Sequence, residues 1–136
     1  MKKVRKPSTT GSGLLAPPHS ASDDANTLKP HFSFEHLVPT YNLTPCTVDE
    51  RSNFALALQL RSSMTWTEII TAPREGLGSE KISSLKVTIP ATVPSNKQGL
   101  IVAFRFGGRA RFLGYRDGRV FYVLWIDPKG KTYDHE

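Results

Sequence analysis

A single cysteine, Cys46, leaves this chain without the means for an internal disulfide framework. Histidines stand only at positions 19, 31, 36 and 135 and share no spacing that would set them around a metal, so neither a structural zinc nor any cofactor is expected. No apolar run approaches the roughly 18 residues at which a membrane-spanning helix becomes the natural reading. The first residues also lack the hydrophobic centre of a signal peptide, so a cytoplasmic location with no membrane attachment is expected. Internal repeats, heptads and glycine-rich phosphate loops are missing as well, since no helix pattern follows Gly107-Gly108.

What is present is an excess of positive charge. The formal net charge is +6, a balance that favours polyanions or acidic partners and is silent about fold. Residues 1–30 hold five cations against two anions, and residues 31–136 hold thirteen against ten. Within the second part the excess gathers at residues 105–119, with five arginines against one aspartate. The basic character is therefore not that of a tail alone.

Residues 1–30 are rich in Ser, Thr, Pro and Gly and offer only Leu14-Leu15 as an apolar pair. Such a segment cannot offset the entropy of ordering and is expected to be a disordered tail. Its start, Lys2, Lys3, Arg5 and Lys6, reads either as a solvated tail or as a nucleic-acid arm. Residues 31–136 are long enough to bury one modest core as a single domain.

Near His31, the residues Phe32, Phe34 and Leu37 mix two periods over too few positions to separate strand from helix. Thr47-Val48-Asp49-Glu50 then matches a capping box, in which the Thr hydroxyl accepts from the amide three residues on and the Glu reaches back. The helix it opens runs through NFALALQLRSS, with Phe54, Ala57, Leu58, Leu60, Arg61 and Met64 spread over a wide inward face. A second box, Thr65-Trp66-Thr67-Glu68, opens a shorter helix that bears Trp66, Ile69 and Ile70 and that Pro73 ends. After the irregular segment REGLGSEK, the alternation of Leu85-Lys86-Val87-Thr88-Ile89 predicts a strand closed by Pro90.

Residues 99–127, GLIVAFRFGGRARFLGYRDGRVFYVLWID, predict three consecutive antiparallel strands with two-residue turns at Gly107-Gly108 and Asp117-Gly118. In that register Phe104 pairs with Arg111 and Leu113 with Tyr122. One face then carries Ile101, Ala103, Ala110, Phe112, Phe121, Val123 and Trp125 and reads as a core. The other mixes Val102, Phe104, Phe106, Leu113, Leu124 and Ile126 with Arg109, Arg111, Tyr115 and Tyr122. A polar group sealed in a core without a partner costs about 1–3 kcal/mol, and a charge more, so this second face is expected to meet solvent, a partner or a ligand. The whole predicts an α+β domain with two N-terminal helices packed on one face of a three- to four-stranded antiparallel sheet.

Two constellations could carry chemistry. Arg105, Arg109, Arg111, Arg116 and Arg119 interleave with Tyr115 and Tyr122. Arginine forks bind phosphate oxygens and tyrosine rings stack on bases, so a sheet presenting both suits single-stranded RNA or DNA. The same charges would equally serve a solvated edge that blocks strand-to-strand aggregation. Tyr133-Asp134-His135 form the second group. Cleavage of RNA without a metal needs a base for the ribose 2′-hydroxyl, cations for the phosphorane and an acid for the leaving oxygen, roles open to His or Tyr beside Arg. A frayed terminus is the plain alternative. Lys81, in the irregular segment with Arg74 and Glu75, is a further candidate for phosphate binding against the plainer reading of a charged loop. His36 reads as a satisfied buried histidine and Cys46 as an inert thiol.

The helix pair at 48–72 and the meander after it, in which basic residues open one strand, a Tyr-Arg-Asp-Gly turn follows and a hydrophobic strand closes the sheet, resemble the RelE/ParE superfamily of small bacterial toxins. The resemblance implies the toxin of a toxin-antitoxin system, a metal-independent mRNA endonuclease that works on the ribosome in the RNA-cleaving members. RNA and a cognate antitoxin encoded beside the toxin are the implied partners. Arg109 and Arg111 would hold the scissile phosphate, and Tyr133 or His135 would act as base or acid. Without the resemblance, the same Arg and Tyr face fits a non-catalytic module that grips nucleic acid or a protein.

Overall fold

In the computed structural model, which describes residues 25–134, both helices start where the capping boxes put them. The Thr47 hydroxyl accepts from the Glu50 amide at 3.1 Å while the Glu50 carboxylate accepts from the Thr47 amide at 2.8 Å, opening α1 (Val48–Ser62). The same reciprocal pair between Thr65 and Glu68 opens α2 (Trp66–Thr71). Each box satisfies amides that a first helical turn otherwise leaves without partners. α1 is buried along Phe54, Ala57 and Arg61, a stripe narrower than the sequence predicts. Leu56 and Leu60 are exposed, as is Ile70 on α2, and Leu58 and Met64 are half-buried.

The sheet is mixed and has five strands, β1 (His31–Ser33), β2 (Glu80–Lys81), β3 (Val102–Gly107), β4 (Ala110–Asp117) and β5 (Val120–Asp127), in the order β1-β5-β4-β3-β2. Both edges correct the three- to four-stranded antiparallel expectation. β1 adds to β5 in parallel, with His31 opposite Val120, so the two helices lie between β1 and β2 in the chain and not ahead of the whole sheet. The far edge is Glu80–Lys81, opposite Ala103 and Val102, and not the alternating segment 85–89. Leu85, Val87 and Ile89 instead pack over a face of the sheet, with one isolated bridge from Leu85 to Tyr133. Their alternation is satisfied by the surface beneath them and needs no strand alongside.

The meander forms over the expected residues in a displaced register. Gly107 pairs with Ala110 and Asp117 with Val120, so the loop residues are Gly108-Arg109 and Gly118-Arg119, each loop one residue later than predicted. Gly108 (φ +53°) and Gly118 (φ +62°) supply the left-handed conformation that opens each turn. Irregularities between Arg105 and Gly107 and between Leu113 and Gly114 shift the pairing again. Phe104 therefore opposes Phe112 and not Arg111, and Leu113 opposes Trp125 and not Tyr122. A slip of one residue sends side chains to the opposite face. Phe104, Phe106 and Ile126 thus join Phe112, Phe121 and Val123 against Phe54, Trp66 and Ile69 of the helices. Ile101, Ala103 and Trp125 lie on the other face with Leu113, Tyr115 and Leu124.

That other face is closed, which overturns the expectation that it meets solvent or a partner. Val38 and Tyr41, the segment from Ile82 to Val93, and Tyr133 cover it. Arg111 and Tyr115 are buried there. The Arg111 guanidinium tolerates burial because it donates to the Tyr133 hydroxyl and to the carbonyl oxygens of Gly108 and Ala110. The chain is also held before residue 31. The Thr67 amide and hydroxyl donate to the Asn26 carbonyl and the Trp66 amide to that of Leu28, so the boundary expected at residue 30 falls inside ordered contacts. The rest of the expected tail, residues 1–24, lies outside the described residues.

Candidate functional site

Tyr133 reaches the β2 edge because the chain doubles back after β5. One oxygen of the Asp127 carboxylate accepts from both the amide (2.8 Å) and the hydroxyl (2.7 Å) of Thr132, and Gly130 (φ +66°) makes the turn between them. Both partners are buried, so the loop is fixed from within. The Lys86 amide then donates to the Thr132 carbonyl at 2.7 Å. Tyr133 arrives 2% exposed.

Its hydroxyl accepts from Arg111 Nε at 3.1 Å and donates to Glu80 Oε1 at 3.2 Å. Glu80 Oε2 accepts in turn from Arg74 Nη1 at 3.3 Å. A line of hydrogen bonds therefore runs from a buried guanidinium through a phenol and a carboxylate to an exposed guanidinium. Burial pushes the Tyr133 phenol above its ordinary range and Arg111 pulls against that rise, so near neutral pH the phenol keeps its proton and acts as a donor.

Tyr133, Glu80 and Arg74 line an open recess of about 330 Å³ together with Lys81, Ser83, Ser84 and Asp134, with Arg111 buried behind Tyr133. Its acids are engaged: Lys86 Nζ holds Asp134 at 2.8 Å, and Arg74 holds Glu80 and also Glu75 at 3.4 Å. The Lys81 ammonium is in no ion pair among the described residues. Cations and acids balance around the recess, Arg74, Lys81 and Lys86 against Glu75, Glu80 and Asp134, so the Lys81 ammonium and the two serine hydroxyls are the groups left to meet an anion, and Glu80 stands where it can take a proton.

The five arginines of the sheet do not share a face. Arg111 is buried at the site, and Arg109 is exposed at the β3–β4 turn. Arg105 is half-buried, its Nε buried without a hydrogen-bond partner. Arg116 lies 4.4 Å over the Trp66 ring and donates to Asn26, and Arg119 donates to the Lys29 carbonyl. Tyr115 and Tyr122 stack on each other at 5.0 Å. The expected continuous Arg and Tyr surface is therefore absent from the described residues, since Arg116 and Arg119 are spent on anchoring residues 25–30 and Tyr115 is buried. Of the expected catalytic group, Arg111 and Tyr133 meet and Lys81 joins them, while His135 lies outside the described residues. Glu80, Ser83 and Ser84 carry no signal of their own in the sequence, and the neighbouring Lys81 is the one pointer toward them.

Fold and recess together define an α+β domain with a polar, cation-bearing hollow at one sheet edge. No protein-family model matches the chain, and neither a curated protein nor a solved structure matches it. Among the described residues no helix is long and apolar enough to cross a membrane, and no group of three His, Cys, Asp or Glu side chains could hold a metal ion.

Proposed function

We propose that this chain binds RNA in the recess at Tyr133 and cleaves it as a metal-independent endoribonuclease, a toxin of the RelE/ParE kind with a cognate antitoxin as its protein partner. The observation that carries this reading is the line of hydrogen bonds from buried Arg111 through Tyr133 and Glu80 to Arg74, whose last three members line a hollow where Lys81 has no counter-ion among the described residues. In the reaction the ribose 2′-hydroxyl gives up its proton and its oxygen attacks phosphorus. The bond from phosphorus to the 5′ oxygen breaks, and that oxygen takes up a proton. Glu80, its side chain 25% exposed and held on both oxygens, is the base. A carboxylate fixed in this way needs no further ordering when substrate arrives. Lys81 and Arg74 oppose the charge of the phosphorane, and the Lys81 ammonium protonates the leaving oxygen. Tyr133, 2% exposed in the wall of the recess, positions Glu80 through its hydroxyl, and Arg111 fixes the phenol from behind.

The test is incubation of the purified chain with single-stranded RNA, free and on translating ribosomes, followed by mapping of new 5′ ends. New 5′-hydroxyl ends are expected, reduced about 100-fold or more in Glu80→Gln and Lys81→Ala. Intact RNA in both settings with folded wild-type protein would sink the reading.

A further inference from the structure

A second hollow lies away from Tyr133, on the side of the sheet where β1 ends. After Ser33 the chain leaves β5 and rejoins it at Val38, whose amide donates to the Leu124 carbonyl at 2.8 Å. Between these points the Ser33 hydroxyl accepts from the Glu35 amide and the Phe34 carbonyl from the Leu37 amide, making a tight excursion. That excursion lays the His36 ring on Tyr122, with centroids 5.2 Å apart and planes 33° apart. Tyr122 in turn stacks on Tyr115 at 5.0 Å and 16°. Three rings thus form a ladder that begins in the covered face of the sheet and ends at His36, whose side chain keeps 21% of its surface.

An open recess of about 370 Å³ abuts this end of the ladder, lined by His36, Glu35, Val38, Pro39, Thr88 and Thr92 among others. Tyr122 does not line it, so the ring that the recess meets is His36. Leu37, Val38, Pro39 and Pro90 give it an aliphatic lining, Thr88 and Thr92 add two hydroxyls, and its acid is the Glu35 carboxylate, 68% exposed with Oε2 4.0 Å from His36 Nε2. A carboxylate there repels phosphate and accepts from an amino group. A flat heteroaromatic ring with exocyclic N–H donors satisfies all three features, because it continues the stack, fills the aliphatic slot and meets Glu35 with a donor.

We infer that this recess takes an unpaired nucleobase of single-stranded RNA, stacked on the outer face of His36, with amino-bearing bases preferred over uracil. The assignment of RNA rests on the function proposed above, with the base read here and the backbone cut at Tyr133. The experiment titrates the full chain with adenosine, cytidine, uridine and ribose 5-phosphate, following by proton NMR the shifts of the His36 and Tyr122 resonances in the wild type and of the Tyr122 resonances in the His36 variants. Adenosine and cytidine are expected to shift them, uridine less so, and ribose 5-phosphate not at all. His36→Ala is expected to weaken adenosine binding about tenfold and His36→Phe to restore it, since the ring and not the imidazole nitrogen makes the stack. Glu80→Gln leaves nucleoside binding intact. Equal binding of adenosine and ribose 5-phosphate, or unchanged adenosine binding in folded His36→Ala, overturns the site. Adenosine binding that depends on His36 in a protein that leaves RNA intact keeps the base site and removes the nuclease reading.

Discussion

The guanidinium of Arg61 lies 4.8 Å over the ring of Phe104, inside the helix-side core and 1% exposed as a residue. No carboxylate accompanies it among the described residues. It donates instead to the carbonyl oxygens of Ala57, Gly76, Leu77 and Arg105. The last of these belongs to β3 beyond the point where the two-residue β2 stops, so a helix side chain does for this edge what a neighbouring strand would do. Burial lowers the guanidinium pKa to about 10.

Replacing Arg61 by Leu removes the donor from four carbonyl groups, and replacing it by Lys removes the planar fork that reaches them together. Each change is expected to cost about 3 kcal/mol in urea denaturation. Arg109→Ala, at the exposed turn, serves as the control within about 0.5 kcal/mol. Equal stability of all three variants would show that the buried fork contributes nothing.

Gly114 sits at the irregularity where β4 meets β5, and a Cβ built there would stand 1.8 Å from the Tyr122 carbonyl oxygen and 2.8 Å from its carbon. Both are backbone atoms of an adjacent strand, so they cannot swing aside. Gly114→Ala is expected to destabilise by more than about 3 kcal/mol. Gly99→Ala, with nothing within 4 Å of the new carbon, should leave the thermal midpoint unchanged.

Two of the four tyrosines, Tyr115 and Tyr133, have phenols raised by burial. In the unfolded chain these groups lose their protons near pH 10, and in the fold they hold them longer. Their contribution to stability is therefore complete below about pH 10 and is lost as pH climbs through their folded values. Arg61, lowered to about 10 by the fold, works in the opposite sense above that pH. Spectrophotometric titration of tyrosinate should show late ionisations, one of which is missing in Tyr133→Phe and another in Tyr115→Phe.

RNA binding should weaken steeply with salt, because phosphate contacts release counterions. Lys81→Ala should lower the slope of log affinity against log salt by about one without altering base preference. His36→Ala should do the converse, changing base preference at constant slope. A slope that is the same in wild type and Lys81→Ala places the phosphate elsewhere.

What the sequence makes legible depends on the distance over which each contact is settled. A capping box is an exchange between residues three apart, so Thr47 with Glu50 and Thr65 with Glu68 can be read with no knowledge of the rest. The meander is legible as three strands, but Gly107-Gly108-Arg109 offers two overlapping two-residue loops, and the glycine pair does not choose between them. The packing of Phe104 against Phe112 and Arg61 does. Strand β1 has only three residues, and its identity lies in its partner β5. Arg111 and Tyr115 look too polar for a core because what covers them, Tyr133 and the segments around Val38 and residues 82–93, arrives from other parts of the chain. Glu80 is recognisable as part of a site only once Tyr133, 53 residues later, has folded back onto it.

The pairing of β1 with β5 joins residues about ninety positions apart, whereas β3, β4 and β5 are joined by the shortest of turns, so the first strand closes the largest loop in the sheet and is the costliest pairing to bring together. His36 rides on the excursion that follows this strand, while Tyr133 is pinned by Asp127 and Thr132 only a few residues from the meander. The two hollows therefore rest on closures of different length: the one at Tyr133 on the pairing of β2 with β3 and the short return after β5, and the one at His36 on the longest closure in the sheet. Amides around residues 31–38 are therefore expected to exchange with solvent sooner than those of β4, so that the His36 end of the ring ladder opens while Tyr115 and Tyr122 stay packed in the meander.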